Sequence, residues 1–143
     1  ECRHNLQYWL NLPYAGFGPG AHGFAGGVRY SVLLSPHRYI EAIEHATENA
    51  AAYEFPYSPA TEIATVVDRD AEIAETLIMG LRLLHTGIHR PTFQERFGVD
   101  LLDIHGETIE RYTQYGLLSV DAERVHLTEQ GRLLSNVVFR DLV

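Results

Sequence analysis

The spacing of hydrophobic positions changes along the chain and separates it into segments with different expected structures. Residues 1–35 combine aromatic side chains with six glycines, which is typical of short strands joined by tight turns. Residues 37–52 have apolar positions at helical spacing, with Ser35 as the N-cap and Pro36 as the first helical residue. A loop with one short strand over 63–67 follows, because β-branched residues cluster there.

The last part of the chain has the clearest periodicity. Its expected elements are helices over 70–84, 91–97 and 100–115, a hairpin over 117–127, and one closing helix over 128–142. Glycines at 87, 98 and 116 mark the helix ends. Asp70 is the expected N-cap of the first of these helices and Thr128 that of the last, and Asp100 begins the helix over 100–115. The fold class is therefore α+β, with a mainly helical, winged-helix-like domain at the end of the chain.

Composition narrows the possible function classes. With 45% hydrophobic and 21% charged residues, and no apolar run near about 20 residues, the sequence is typical of a soluble globular protein without a transmembrane segment. The formal net charge of −8 disfavours binding to nucleic acid, which draws its affinity from Lys and Arg. The one cysteine, Cys2, cannot form an internal disulfide or hold an iron–sulfur cluster, and a cytoplasmic location is expected. The start at Glu1 predicts a piece of a longer protein.

The most distinctive run lies near the start, where five chemically different side chains fall within eight positions. They are Cys2, His4, Asn5, Tyr8 and Trp9. An imidazole can be an axial ligand of haem iron, and flat aromatic rings can pack on a porphyrin face. The alternative interpretation is a strand end whose aromatic residues anchor the core while His and Asn satisfy buried backbone groups, which is common in proteins.

The same run, His4-Asn5-x-x-Tyr8-Trp9, resembles the HNxxYW signature of the haem-chaperone (HemW-type) branch of the oxygen-independent coproporphyrinogen III oxidase-like radical-SAM family. In that family the signature is implicated in haem handling. The resemblance therefore implies haem-binding roles for His4, Asn5, Tyr8 and Trp9. The spacing leaves open which of them touches iron.

A second match is the glycine-rich stretch 14–24, which resembles the family's YxGFGxGAHSF stretch except that Gly23 stands where the family commonly has Ser. The resemblance implies a position at the end of the last strands of the radical-SAM barrel, beside the S-adenosylmethionine pocket. Glycines let a backbone approach a cofactor closely. The candidate cofactor-binding residues are Gly18, Gly20, Ala21 and His22. The departure at Gly23 puts a hydroxyl contact there in doubt.

Further matches along the chain mark the fold. They are Glu75 to Leu83 with Gly87-Ile88, Phe93 with Arg96 to Gly98, Gly116 to Leu118, and the run from Leu127 to Asn136. They resemble the family's C-terminal domain. The implied organisation is terminal strands of a truncated radical-SAM barrel over 1–35, a helix and connecting segment over 36–69, and a winged-helix-like C-terminal domain over 70–143 that covers the barrel's substrate side.

The resemblance also implies which cofactors belong to the parent protein. The family's CxxxCxxC motif, which holds the 4Fe–4S cluster that cleaves S-adenosyl-L-methionine, is absent from this sequence. The chain alone is therefore expected to hold no cofactor and to be non-catalytic. The parent protein is expected to hold the cluster and S-adenosyl-L-methionine, with haem as a further candidate. The implied partners are the upstream barrel and a tetrapyrrole, either haem or coproporphyrinogen III. The HNxxYW string favours haem delivery, and coproporphyrinogen III dehydrogenation is the alternative.

Other interpretations use the same features. A nucleic-acid-binding winged helix would use 100–115 for recognition, but its one arginine, Arg111, stands among four acidic residues. A bare interaction module would pair exposed strand edges between copies, so that a dimer of the fragment would be a truncation artefact. A metal site at His85 and His89 is disfavoured because Gly87 breaks the helix between them.

Overall fold

The chain is an α+β protein with two small antiparallel sheets. A computed structural model describes residues 3–142, and the side chains of residues 5–142. The elements in chain order are α1 (Arg3–Trp9), β1 (His22–Ala25), β2 (Val28–Val32), α2 (Pro36–Glu48), β3 (Thr61–Val66), α3 (Arg69–Leu81), β4 (Ile88–His89), α4 (Arg90–Phe97), α5 (Leu101–Gln114), β5 (Leu118–Val120), β6 (Arg124–Leu127), α6 (Glu129–Leu133) and α7 (Ser135–Leu142). In this part of the chain, no helix combines the length and the apolar character needed to cross a membrane.

Contacts divide the chain into two compact units. The small unit is Leu12–Arg69, and the large unit consists of the segments up to Asn11 and from Asp70 onward. The first helix, α1, therefore belongs to the same unit as the elements from α3 to α7.

The small unit is a three-stranded sheet with one helix against it. The strand order is β1-β2-β3, and Gly26 and Gly27 join β1 to β2 with φ values of 58° and 72°. Both values lie in the left-handed region, as a two-residue hairpin turn requires. Helix α2 packs on the sheet through an apolar cluster. Its buried members are Tyr30, Val32, Leu33 and Ala60, and Tyr39, Ala42 and Ile43 of α2 pack against them.

Two predictions in the small unit are confirmed. The Ser35 hydroxyl accepts the Arg38 N–H at 3.4 Å, and Pro36 is the first residue of α2. The helix ends at Glu48 rather than at residue 52, because the backbone reaches the left-handed region at Ala50, where φ is 50°. The expected short strand is β3.

The large unit surrounds one apolar core. Its strands form a sheet in the order β4-β6-β5, and α3, α4, α5, α7 and Leu117, which precedes β5, contribute the other core positions. The buried core residues are Ile73, Leu77, Leu81, Ile88, Phe93, Phe97, Leu101, Ile109, Tyr112, Leu117, Leu118, Val125, Leu127, Val138, Phe139 and Leu142. The predicted helix end at Gly98 and the predicted N-cap at Thr128 are confirmed, Asp100 is the N-cap of α5, and α5 continues through Gly106 without a break. The N-cap predicted at Asp70 is wrong, because α3 begins at Arg69 and Asp70 lies inside its first turn.

Two secondary-structure predictions are wrong in this unit, and one strand was not predicted. Residues 3–9 form a helix instead of a strand, because the glycines that favoured strands begin only at Gly16 and this run contains no Gly, Pro or β-branched residue. The single closing helix is two helices, α6 and α7, separated at Leu134 by a tight turn in which its N–H donates to the Gly131 carbonyl at 3.2 Å. Strand β4 was not predicted, because two residues carry no periodicity and only pairing with β6 defines it.

The start of α5 makes stability depend on pH. The Asp100 carboxylate accepts the Leu102 N–H at 2.8 Å and pairs with Arg90 at 2.9 Å. The backbone hydrogen bond, helped by Arg90, holds the pKa of Asp100 below its usual value of 3.8. Because the pKa is lower in the folded chain than in the unfolded one, this carboxylate stabilises the fold above pH 3.8 and loses that contribution as the pH falls through the folded pKa.

We therefore expect Asp100→Ala to lower the free energy of unfolding by about 1 to 2 kcal/mol at neutral pH, and by less in acid. Urea unfolding of both proteins, at neutral pH and at a pH below the folded pKa of Asp100, measures the difference. An equal loss at both pH values would contradict the charge dependence.

Candidate functional site

An open cleft in the large unit brings α1 together with the backbone turn that follows α3. Its volume is about 370 Å³, which is within the range of small-molecule sites. Helix α3 ends at Leu81, three residues before the predicted end, and the turn begins there. The lining residues are Asn5, Leu6, Trp9, Arg82, Leu83, Leu84 and His85.

The α1 wall of the cleft follows from helical spacing. Asn5 and Trp9 are four residues apart, and Leu6 and Trp9 are three apart, so that these positions share one face of the helix. Trp9 is 37% exposed, which leaves part of its ring accessible to a ligand. This wall therefore offers an amide, an alkyl group and an indole.

Arg96 of α4 holds the end of α1 in place. Its guanidinium donates to the carbonyl oxygens of Leu10 at 3.1 Å and Asn11 at 2.7 Å, where the chain leaves the helix and carbonyls need outside partners. It also pairs with Glu72 of α3 at 2.5 Å. The buried Asn11 side chain donates to the Thr76 hydroxyl at 3.1 Å. These contacts fasten α1 to α3 and α4.

The opposite wall is a turn that closes on a glycine. The Gly87 N–H donates to the Leu83 carbonyl at 2.9 Å, and Gly87 has a φ of 56°. A Cβ at this position would lie 2.3 Å from the carbonyl oxygen of Val125. Only glycine therefore lets the turn pack this closely on the sheet.

Two arginines anchor the carbonyls on either side of His85. Arg132 donates to the Leu84 carbonyl at 2.6 Å, and Arg124 donates to the Thr86 carbonyl at 2.9 Å. Because the backbone is fixed immediately before and after it, the Cα of His85 has a defined position at the edge of the cleft.

The cleft combines three kinds of chemistry. Trp9, Leu6 and Leu84 offer apolar surface, which suits a flat ring. His85 brings an imidazole, which is a ligand for haem iron and other metals. Arg82 brings a permanent cation, which pairs with carboxylates. The cleft therefore places an indole, an imidazole and a guanidinium around one open volume.

The predicted haem-binding residues are all on α1, but they do not all line the cleft. Asn5 and Trp9 do, whereas Tyr8 is 36% exposed and outside the lining. The side chain of His4 lies outside the described residues. Sequence reasoning did not select Arg82 or His85 for this site, because their only signal is proximity in space to a helix more than seventy residues earlier.

The predicted cofactor-binding loop lies in the small unit. Gly18 and Gly20 have φ values of 91° and 72°, which favour glycine at both positions. Backbone hydrogen bonds tie Gly20 and Ala21 to the end of β2. His22 begins β1 and is exposed. A Cβ on Gly18 would have no atom of the described residues within 4 Å, so that its backbone faces open space.

Gly23 packs directly against Tyr30. These two residues are directly opposite each other on β1 and β2, and a Cβ on Gly23 would lie 2.2 Å from the Tyr30 ring. The phenol oxygen of Tyr30 also accepts the Gly16 N–H at 3.0 Å. A serine at position 23 would force Tyr30 to move.

Comparison with known proteins gives the relatives of the chain. Residues 67–134 match the family model of the HemN C-terminal domain. The heme chaperone HemW of Bacillus subtilis is 35% identical over 97% of this chain and 34% of its own length. The heme chaperones HemW of Lactococcus lactis and Mycobacterium tuberculosis are each 32% identical, over 97% and 100% of this chain and 33% and 32% of their own lengths. The chain spans about a third of the length of these curated relatives.

A solved structure has the same fold. The coproporphyrinogen III oxidase HemN of Escherichia coli, a radical SAM enzyme, matches with a TM-score of 0.56 over 92% of this chain and 28% of its own, at 15% sequence identity. At that identity the likeness establishes the fold alone. The chain therefore contains the HemN C-terminal domain over residues 67–134, and along nearly its whole length it is similar to the HemW heme chaperones.

Proposed function

We propose that this chain is the C-terminal part of a cytoplasmic radical-SAM protein that binds a tetrapyrrole, and that the protein delivers haem. The cleft carries the proposal, because Asn5 and Trp9 of the HNxxYW string line it beside an imidazole and a guanidinium. The name heme chaperone, borne by the curated relatives, supports haem over other tetrapyrroles.

The chemistry of the cleft matches that of haem, which in this proposal is the cargo of the protein. Haem has a flat apolar face, an iron and propionate carboxylates. The Trp9 indole packs on the macrocycle, and Asn5 offers its amide at the rim. His4 and Tyr8 complete the set of haem-binding residues, since the whole HNxxYW string lies on α1.

The residues of this chain do not fit an iron–sulfur cluster, because the sequence has one cysteine and a cluster of this kind is held by several thiolates. In this proposal the 4Fe–4S cluster and S-adenosyl-L-methionine belong to the upstream barrel of the parent protein, and the chain alone catalyses nothing. Gly18, Gly20, Ala21 and His22 face S-adenosyl-L-methionine there. The open space around Gly18 supports this role.

The proposed architecture gives each segment a part in the parent. Within residues 1–35, β1 and β2 contribute terminal strands of the partial barrel, and residues 36–69, which contain α2 and β3, connect them to a winged-helix-like domain over 70–143. The element order α3, β4, α4, α5, β5, β6 supports a winged helix, in which β5 and β6 are the wing. This domain covers the substrate side of the barrel.

One alternative activity has specific support. The E. coli structure with the same fold is a coproporphyrinogen III oxidase, so that the alternative to haem delivery is a parent protein that acts on coproporphyrinogen III. Nucleic-acid binding lacks such support, because Arg111 of α5 pairs with Asp141 at 2.8 Å and the other charged residues of that helix are acidic. Assaying the full-length protein for coproporphyrinogen III decarboxylation and for a haem absorption band separates the two tetrapyrrole activities.

The proposal predicts that Trp9→Leu weakens hemin binding by about tenfold, because the indole loses its stacking contact and much of its buried area. Hemin titration of the chain, followed by the growth of its absorption band, measures the dissociation constant. Tyr53→Leu is the control, since Tyr53 is an exposed aromatic residue of the small unit. Equal affinities of Trp9→Leu and the unchanged chain would contradict haem binding in the cleft.

A further inference from the structure

We infer that the turn over 82–85 supplies the polar half of the haem site, with His85 as a ligand of the iron and Arg82 as the partner of a propionate carboxylate. The inference rests on the proposed function, because the cleft must receive a tetrapyrrole for either role to exist. It adds two residues that lie outside the HNxxYW string and on the opposite wall of the cleft.

His85 differs from the other histidine near this turn. His89 is the N-cap of α4, where its Nδ1 accepts the Thr92 N–H at 3.4 Å and is 2.8 Å from the Thr92 hydroxyl. His85 is exposed, lines the cleft, and makes no hydrogen bond or ion pair with another described residue. Its ring is therefore free to offer a nitrogen lone pair to iron.

The backbone around His85 reduces the cost of ligation. The carbonyls of Leu84 and Thr86 are held by Arg132 and Arg124, and Gly87 closes the turn. Because the backbone is already ordered, binding has mainly to fix the imidazole torsions. Coordination uses the lone pair of the neutral imidazole and replaces a solvent ligand on the iron, without electron transfer.

Arg82 is suited to the acidic edge of the same molecule. Its guanidinium carbon lies 5.3 Å from the centre of the Phe139 ring, and a guanidinium stacked on a ring keeps its N–H groups directed outward in its own plane. No carboxylate among the described residues pairs with Arg82, in contrast to Arg90, Arg96 and Arg111. A propionate carboxylate would supply the missing anion.

The test compares hemin with metal-free protoporphyrin IX on the 143-residue chain. We expect His85→Gln to weaken hemin binding by about tenfold and to shift its Soret band, while metal-free protoporphyrin binds within about twofold of the unchanged chain. His37→Gln, at an exposed histidine of the small unit that pairs with Glu41, should change neither ligand's affinity. This split separates iron ligation from a general effect on the cleft.

Arg82→Gln tests the second role with another ligand pair. We expect it to weaken binding of protoporphyrin IX by about fivefold, and to leave binding of its dimethyl ester unchanged, because the ester has no carboxylate for the guanidinium to pair with. An equal effect on the acid and the ester would overturn the carboxylate role.

The outcomes distinguish this inference from the function on which it rests. If the unchanged chain binds neither hemin nor metal-free protoporphyrin, the proposed function fails and the inference falls with it. If the chain binds hemin but His85→Gln leaves its affinity and Soret band unchanged, or weakens both ligands equally, iron ligation by His85 is overturned while tetrapyrrole binding stands.

Discussion

Gly131→Ala should lower the free energy of unfolding by about 3 kcal/mol, because an added methyl group in this packed position must displace backbone. An ideal Cβ on Gly131 would lie 1.9 Å from the carbonyl oxygen of Leu117. The same carbonyl accepts the Thr128 N–H at 3.0 Å, and the Thr128 hydroxyl donates to the Gly116 carbonyl at 2.6 Å. Moving α6 away from the clash would therefore also break its N-terminal attachment.

The matched control is Gly106→Ala in the middle of α5. No atom of the described residues lies within 4 Å of a Cβ built there, and alanine is favoured over glycine in a helix by about 1 kcal/mol. Urea or thermal unfolding should therefore show that Gly131→Ala lowers the free energy of unfolding, whereas Gly106→Ala raises it. If Gly131→Ala matched Gly106→Ala in stability, the close approach of α6 to Leu117 would be wrong.

Displacement of α6 should also affect the cleft. Arg132 of this helix donates to the Leu84 carbonyl, next to His85. A shift of α6 large enough to remove the clash at Gly131 would loosen that hydrogen bond. The packing of a remote glycine is in this way connected to the position of the turn that forms one wall of the candidate site.

The elements that the sequence predicts correctly are those whose signals are local. Helix α5 has its N-cap at Asp100 and its apolar face within its own residues, and the hairpin of β5 and β6 has its turn between two apolar runs. A cap or a period acts over a few residues, so that the sequence displays it directly. Helix α1 is different, because seven residues without a capping signal depend on tertiary contacts for their stability.

Only one wall of the candidate site could be predicted from the sequence, because only that wall has a local sequence signal. Asn5 and Trp9 belong to one short string, and a resemblance in that string selected them. Arg82 and His85 lie near them only because α1 packs in the large unit. In the sequence, the whole small unit separates α1 from Arg82 and His85. The sequence around Arg82 and His85 does not distinguish these two residues from other basic residues that follow a helix.

Glu72 gives a second example. Its position in the first turn of α3 suits the helix dipole, and that explanation needs no partner. In the structure it pairs with Arg96, and both side chains are mostly buried, at 27% and 22% exposure. A pairing across 24 positions in the sequence is determined by the packing of α3 against α4 and has no local signature.

Replacing Arg96 with Met should release α1 and with it one wall of the cleft. The substitution leaves Glu72 without its cation and removes the donors to the Leu10 and Asn11 carbonyls. For a pair that is neither fully buried nor fully exposed we expect a loss of about 2 kcal/mol in the free energy of unfolding. Trp9 is the only tryptophan of the chain, so that its emission reports α1 alone and should move to longer wavelength.

Arg90→Met separates this local effect from general destabilisation. Arg90 lies on the same helix and makes a similar set of contacts, an ion pair to Asp100 and hydrogen bonds to the carbonyls of Asp121 and Ala122, but none to α1. Both variants should lose comparable stability, whereas only Arg96→Met should shift the Trp9 emission and weaken hemin binding, by about tenfold or more. If the Trp9 emission were the same in both variants, Arg96 could not be what holds the α1 wall, and the cleft would need another support.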